Sequence, residues 1–98
     1  MIKKSYSKTG KYCRVTFKIP PGTGAKSVVV CGDFNNWNQN DKPMTRTSTG
    51  AFFVTHSLPA GRQYRFRYLV DGHHWKNDEA ADDYVPNDYG SDDAVVAT

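Results

Sequence analysis

Apolar and polar residues alternate along much of this chain with a period of two. From Tyr12 to Ile19, Cys13, Val15, Phe17 and Ile19 point one way, and Arg14, Thr16 and Lys18 the other. That is the pattern of a half-buried strand. Pro20-Pro21-Gly22-Thr23-Gly24 breaks it, because this composition favours turns. Ser27 to Cys31 predicts a second, more continuously apolar strand. Gly32 to Pro43 holds Asn35, Asn36, Asn38, Asn40 and Asp41 and reads as loop. Ala51 to Leu58 predicts a third strand and Pro59-Ala60-Gly61 a tight connection. Arg62 to Val70 is the fourth strand, with Tyr64, Phe66, Tyr68 and Val70 on one face and Arg65 and Arg67 on the other. Asp71-Gly72 is the strongest hairpin signal, because a two-residue turn wants positive φ. His73 to Lys76 is its short return strand, Asn77 to Asp93 a polar loop, and Ala94 to Ala97 a closing strand.

No helical period outlasts a single turn. About six to eight short strands with turn signals at close intervals predict an all-β fold, an immunoglobulin-like antiparallel β-sandwich. Met1 to Gly10 is expected as a flexible arm, and residues 11–98 as one domain.

Composition narrows the function classes. A chain of 98 residues is far short of a barrel-type hydrolase of about 250 residues. Aromatics at 13% and charged residues at 23% speak for an ordered chain. The net charge of +3 is unevenly spread: seven of the ten acids (Asp78, Glu79, Asp82, Asp83, Asp88, Asp92, Asp93) follow Trp75, but only Lys76 of the thirteen basic residues does. A nucleic-acid surface needs a concentrated basic stripe, and here Lys and Arg are scattered. Cys13 and Cys31 lack metal-ligand spacing and are expected as buried free thiols rather than a disulfide. No apolar stretch follows Met1 to Ser5, and no run approaches the roughly 18 apolar residues of a membrane span. A cytoplasmic setting is expected.

Enzymatic chemistry is not expected. Asp82-Asp83 and Asp92-Asp93 are adjacent carboxylates, but glycoside hydrolysis needs two carboxyls about 5–10 Å apart across a cleft. Neighbours on a strand point to opposite faces. The calcium-loop spacing is absent, and His56, His73 and His74 form no zinc set with the cysteines. Neither metal nor cofactor is expected.

Three aromatics stand outside the predicted core. Trp37 lies between Asn36 and Asn38, Trp75 just past the hairpin turn, and Tyr89 in an acidic, glycine-containing loop. Each has a plain structural alternative: Trp37 as a core plug, Trp75 facing inward, Tyr89 capping the sandwich edge. The other reading is sugar binding. A pyranose offers C–H faces that pack on aromatic rings and a rim of hydroxyls that needs donors and acceptors.

Gly32-Asp33-Phe34-Asn35-Asn36-Trp37 resembles the signature G-x-F-N-x-W of the glycogen-binding domains. These occur in the β subunit of AMP-activated protein kinase and at the N-termini of isoamylases and branching enzymes, and form carbohydrate-binding module family 48. Further steps follow in order. Met44-Thr45-Arg46 is similar to the step after the loop, and Leu58-Pro59-Ala60-Gly61 to the L-P-x-G turn. Tyr64 to Trp75, containing Val70-Asp71-Gly72, is similar to the long strand and turn. Asn87-Asp88-Tyr89-Gly90 with Val95-Val96 is similar to the ending. The resemblance spans about Val15 to Val96.

It implies a non-catalytic module for α-1,4-glucans such as glycogen, starch or maltooligosaccharides. Trp37 and Trp75 match the two tryptophans that stack on glucose. Arg67 matches a lysine that bonds sugar hydroxyls, and Tyr89 a leucine that enters the curve of the glucan. Ser91 matches a threonine, and Asp93 an asparagine that bonds hydroxyls. Three positions depart from the kinase version. Arg67 is a planar fork rather than a point donor, Asp93 brings charge and loses an amide donor, and His73-His74 lengthens the turn by one residue. The alternative function is a docking domain of the same fold, acting on a glucan-metabolising enzyme or a kinase.

Overall fold

A computed structural model describes residues 2–98; Met1, expected as the start of the arm, lies outside the described residues. Nine strands are described: β1 (Ile2–Tyr6), β2 (Tyr12–Ile19), β3 (Val28–Gly32), β4 (Thr45–Arg46), β5 (Phe52–Pro59), β6 (Gln63–Val70), β7 (His74–Lys76), β8 (Asp83–Pro86) and β9 (Asp92–Ala97). A single turn of 3-10 helix, Asp33–Asn35, follows β3. All pairings are antiparallel. One sheet has the order β1-β2-β5-β4 and the other β3-β6-β9-β8. β7 joins the second sheet on the edge of β6 that β9 leaves uncovered: β9 pairs Gln63 to Phe66, and β7 pairs Tyr68 to Val70. No helix among the described residues is long and apolar enough to cross a membrane.

The two sheets close on one core. Cys13, Val15 and Phe17 from β2 meet Val28 and Val30 from β3, Tyr64, Phe66 and Tyr68 from β6, and Ala94 and Val96 from β9. Those of β2 and β6 are inward positions that alternation predicts; the choice of Val28, Val30, Ala94 and Val96 in β3 and β9 is settled by packing. Cys13 and Cys31 are both buried and free.

Three elements depart from the expected pattern. Ile2–Tyr6, read as part of an arm, pairs along Cys13 to Phe17, and Lys4 Nζ bonds Asp82 at 2.6 Å. This edge strand is mostly exposed and carries two lysines, the usual protection of an open sheet edge. Such strands are held by ladder bonds, which leave little trace in an apolar pattern. β8 is another edge strand, inside the stretch read as polar loop, and pairs with β9. At the hairpin, Asp71 and Gly72 have φ of 52° and 77°, as the turn requires. His73 is drawn into the turn, its amide donating to Val70 O at 3.2 Å, so the return strand starts one residue later.

β6 also breaks the simple two-face picture. Leu69 lies on the Arg65 and Arg67 face, opposite the core, yet it is buried. Its cross-strand partners are Val29 and Trp75. Cys31 and Val95, partners of Arg67 and Arg65, are buried on the same outer face. A second, smaller apolar layer therefore backs this sheet on its outside.

Candidate functional site

The loop after β3 is built residue by residue. Gly32 has extended backbone, φ −170°, so conformational freedom is not the reason for glycine. Space is: a Cβ there would run into the Arg65 carbonyl oxygen and come within 2.8 Å of the Phe34 ring and 2.9 Å of Phe66 Cβ. Phe34 anchors the loop in the core, stacked on Phe17 at 5.6 Å between centroids and tilted on His56 at 5.1 Å. Asn35 is the polar hub. Its Nδ2 donates to Val30 O at 3.0 Å and to Asp41 Oδ2 at 2.7 Å, and its Oδ1 accepts from Gly32 N at 3.0 Å. Asn36 and Trp37 then take left-handed backbone, φ 55° and 56°, and the Trp37 amide donates to Gly32 O at 2.9 Å. This sequence of contacts turns the indole of Trp37 outward.

Trp37 meets Trp75 on the outer face of the second sheet. Their ring centroids are 6.3 Å apart and their planes cross at 62°. Neither belongs to the main core cluster, so the readings of Trp37 as a core plug and of Trp75 facing inward do not hold. Trp75 is placed by its pairing with Leu69. Trp37 is held through its Nε1, which donates to Asp33 Oδ1 at 3.0 Å.

Around the two indoles lies a shallow depression of about 730 Å³, lined by Asp33, Gln39, Arg65, Arg67, Asn87, Asp88, Tyr89 and Asp93 as well. Five of the six residues singled out in the sequence therefore converge: Trp37, Arg67, Trp75, Tyr89 and Asp93. Ser91 is exposed on the same turn but outside this lining. Tyr89 is 92% exposed, which rules out an edge cap. Asn87 organises the turn that presents it: its Oδ1 accepts from the amides of Tyr89 at 2.9 Å and Ser91 at 3.2 Å, an Asx-type turn. Its Nδ2 donates to Asp93 Oδ1 at 3.1 Å. Asp93 is buried, with Arg65 Nη1 at 4.0 Å from its other oxygen.

Asp33, Gln39, Arg65, Asn87 and Asp88 were not singled out as site residues. Arg65 had a signal, since it shares a face with Arg67 at strand spacing. Asp33 had none beyond its place in the signature, because one partner, the Arg65 amide, comes from β6 and the other, Trp37, meets it only through the left-handed turn of the loop.

Electrostatics beneath the loop are those of a rigid support. The Cys31 thiol donates to Asn38 O at 3.5 Å. Burial first, and the Asp41 charge second, push its pKa up to about 11. The Asn35 amide, followed by the Lys42 backbone N–H, holds Asp41 below its ordinary value. Burial pushes His56 down against the opposing pull of Asp41, while Lys42 adds to the lowering. Its Nε2 is enclosed without a hydrogen-bond partner among the described residues.

Two angled indoles, an exposed tyrosine, two guanidiniums and fixed carboxylates in a shallow, open depression suit a polyhydroxylated chain with apolar ring faces. No curated protein matches the chain. The sequence model of one family, described as the glycogen recognition site of AMP-activated protein kinase, matches residues 13–96. That span covers both sheets from β2 to β9 and every lining residue of the depression. This chain belongs to that family and is a glycogen-binding carbohydrate-binding module.

Proposed function

We propose that the domain holds α-1,4-linked glucose chains across Trp37 and Trp75, reads their hydroxyls with Arg67 and Asp93, and breaks no bond in them. The observation that carries this reading is the pairing of the two indoles at 6.3 Å and 62° in one depression with Arg67 and Tyr89. Planes at that angle form a bent platform. A coiled α-1,4 chain turns successive C–H faces and follows such a bend, whereas a flat β-linked ribbon lies on one ring only. Tyr89 stands at the rim, where a curved chain leaves a hollow for it. Ser91, on the same exposed turn, serves as an outer contact for a longer chain.

The carboxylates of the depression support a binding-only reading. Asp33 accepts from the Trp37 indole and the Arg65 amide, and Asp93 accepts from Asn87 beside Arg65. Both carboxylates are taken up as acceptors by donors of the protein itself, whereas glycoside hydrolysis needs one carboxyl placed to protonate the leaving oxygen. Free buried Cys13 and Cys31 suit the reducing cytoplasm. A module that only binds acts by bringing something else to the polymer, and a glucan-metabolising enzyme or kinase is the partner this reading calls for.

A shallow wet site predicts modest affinity, about 10 µM to 1 mM, or roughly −4 to −7 kcal/mol. The test is a titration with maltoheptaose or β-cyclodextrin followed by tryptophan fluorescence, with Trp37→Ala and Trp75→Ala run in parallel. Saturable quenching in wild type, weakened at least about 30-fold in each folded variant, is the expected result. No response at millimolar ligand in folded wild type overturns the reading.

A further inference from the structure

Trp37 occupies backbone that disfavours it. Left-handed φ at a bulky residue is an outlier, and it persists only where the surroundings over-determine it. The Trp37 amide bond to Gly32 O fixes the turn but leaves the indole free to rotate about its side-chain bonds. The side-chain restraint comes from Asp33. One carboxylate oxygen accepts the indole N–H at 3.0 Å, and the other accepts the Arg65 backbone N–H at 2.8 Å.

The position of that backbone N–H is informative. The β3–β6 ladder ends at the pair Gly32 and Phe66. A Cβ at Gly32 would strike the Arg65 carbonyl, so the Arg65 peptide groups face the β3 edge, one step past the last rung. Asp33 supplies that missing rung with its side chain and takes the indole with its remaining oxygen. The loop tryptophan is thereby tied to the backbone of a central strand.

We propose that Asp33 is the positioning residue of the glucan site, tying the Trp37 indole to β6 and setting the angle at which it meets Trp75. This rests on the reading of the two tryptophans as the glucan platform. Asp33 acts through Trp37: it orders the indole before sugar arrives and so removes an ordering cost from binding. Its hydrogen bonds are charge-assisted, the stronger class, and the carboxylate geometry suits two donors at once.

The experiment uses Asp33→Ala and Asp33→Asn, each alone and combined with Trp37→Ala. Nuclear magnetic resonance follows hydrogen exchange of the Trp37 indole N–H and the Arg65 amide without sugar, and calorimetry measures β-cyclodextrin affinity. Wild type is expected to protect both protons. Asp33→Ala should expose both and weaken cyclodextrin binding about tenfold, the size of one hydrogen bond to a charged group, in a protein that circular dichroism shows folded. Asp33→Asn should recover part of the affinity, since its amide oxygen accepts one of the two donors; it also carries the test if the alanine variant fails to fold. In the Trp37→Ala background, Asp33→Ala should weaken binding no further.

Wild-type affinity in Asp33→Ala, or an unprotected indole N–H in wild type, overturns the proposal. So does an additive loss in the Trp37→Ala background, which would make Asp33 a direct sugar contact. If wild type binds no cyclodextrin, the platform reading fails and the site role with it, while the exchange rates still decide whether the clamp exists.

Discussion

The outer face of β1-β2-β5-β4 presents Lys3, Ser5, Arg14, Thr55 and Ser57, all exposed, and its four strands contain no Asp or Glu. On the outer face of the other sheet, Cys31, Leu69 and Val95 are 0%, 4% and 3% exposed. Both sheets bury their inner faces in the same core, so the difference does not arise from closing the sandwich. It arises from what lies outside. The first sheet meets water mostly with hydroxyls and cations, such as the Thr16 and Thr55 hydroxyls 2.9 Å apart, and exposes Phe53 among them. The second is roofed by the Gly32 to Pro43 loop and two indoles, and its arginines stand beside Asp33 and Asp93. An outward apolar layer beneath polar cover marks a place where side chains are held still, and still side chains are what a weak, shallow binding site requires.

The largest expected contrast is in stability. Leu69→Ala should cost about 2–5 kcal/mol although it points outward, with a loss of cyclodextrin affinity because Trp75 rests beside it. Ser57→Ala, outward on the first sheet, should stay within about 0.5 kcal/mol of wild type. Urea unfolding measures both, and equal costs would dissolve the distinction between the faces.

A smaller contrast lies in binding. Arg67→Ala should weaken cyclodextrin binding about tenfold to a hundredfold, the range of a hydrogen bond from a charged donor. Arg14→Ala removes the same group from the other face and should leave affinity unchanged. Calorimetry on the two variants sharpens the assignment of the site to one sheet; a comparable loss in both would point to general charge attraction instead.

The smallest effect is on pH. His56 lies under the signature loop, and burial lowers its pKa below the ordinary 6.5. The unfolded chain then binds a proton that the folded chain resists. Stability should be level above pH 6.5 and decline as pH falls from 6.5 toward the folded value. Asp41 and Asp71 are lowered by hydrogen bonds. Their contribution is present above about pH 3.8 and is lost as pH falls through their folded values. Thermal unfolding across pH should show the two declines, and His56→Gln should remove the upper one while keeping the lower.

Much of the fold was legible because its central strands bury one face. β2 was read to the residue, and the inward set of β6 as Tyr64, Phe66, Tyr68 and Val70. β1 and β8 were not legible, because an edge strand is stabilised mainly by backbone bonds that any sequence supplies. Of the site, Trp37, Trp75 and Tyr89 stood out as large aromatics in polar stretches. Ser91 followed the family pattern but falls outside the lining. Asp33 and Asn87 escaped because their work is done on partners that other strands, or an unrecognised turn, bring to them.

By itself, then, the sequence determined the strand period, the Asp71-Gly72 turn, the glycine-tight signature and the aromatic residues left over from the core. These depend on local sterics and on alternation, which are written into neighbouring positions. The tertiary structure alone decided that the two tryptophans meet at 62°, that Leu69, Cys31 and Val95 are buried on the outer face of their sheet, and that Asp33 reaches the Arg65 amide. The tryptophan pair and the Asp33–Arg65 bond join residues about 30 to 40 positions apart in the chain. Such separations carry no periodic signal, so they are set only when packing of the two sheets brings β3, β6, β7 and β9 side by side.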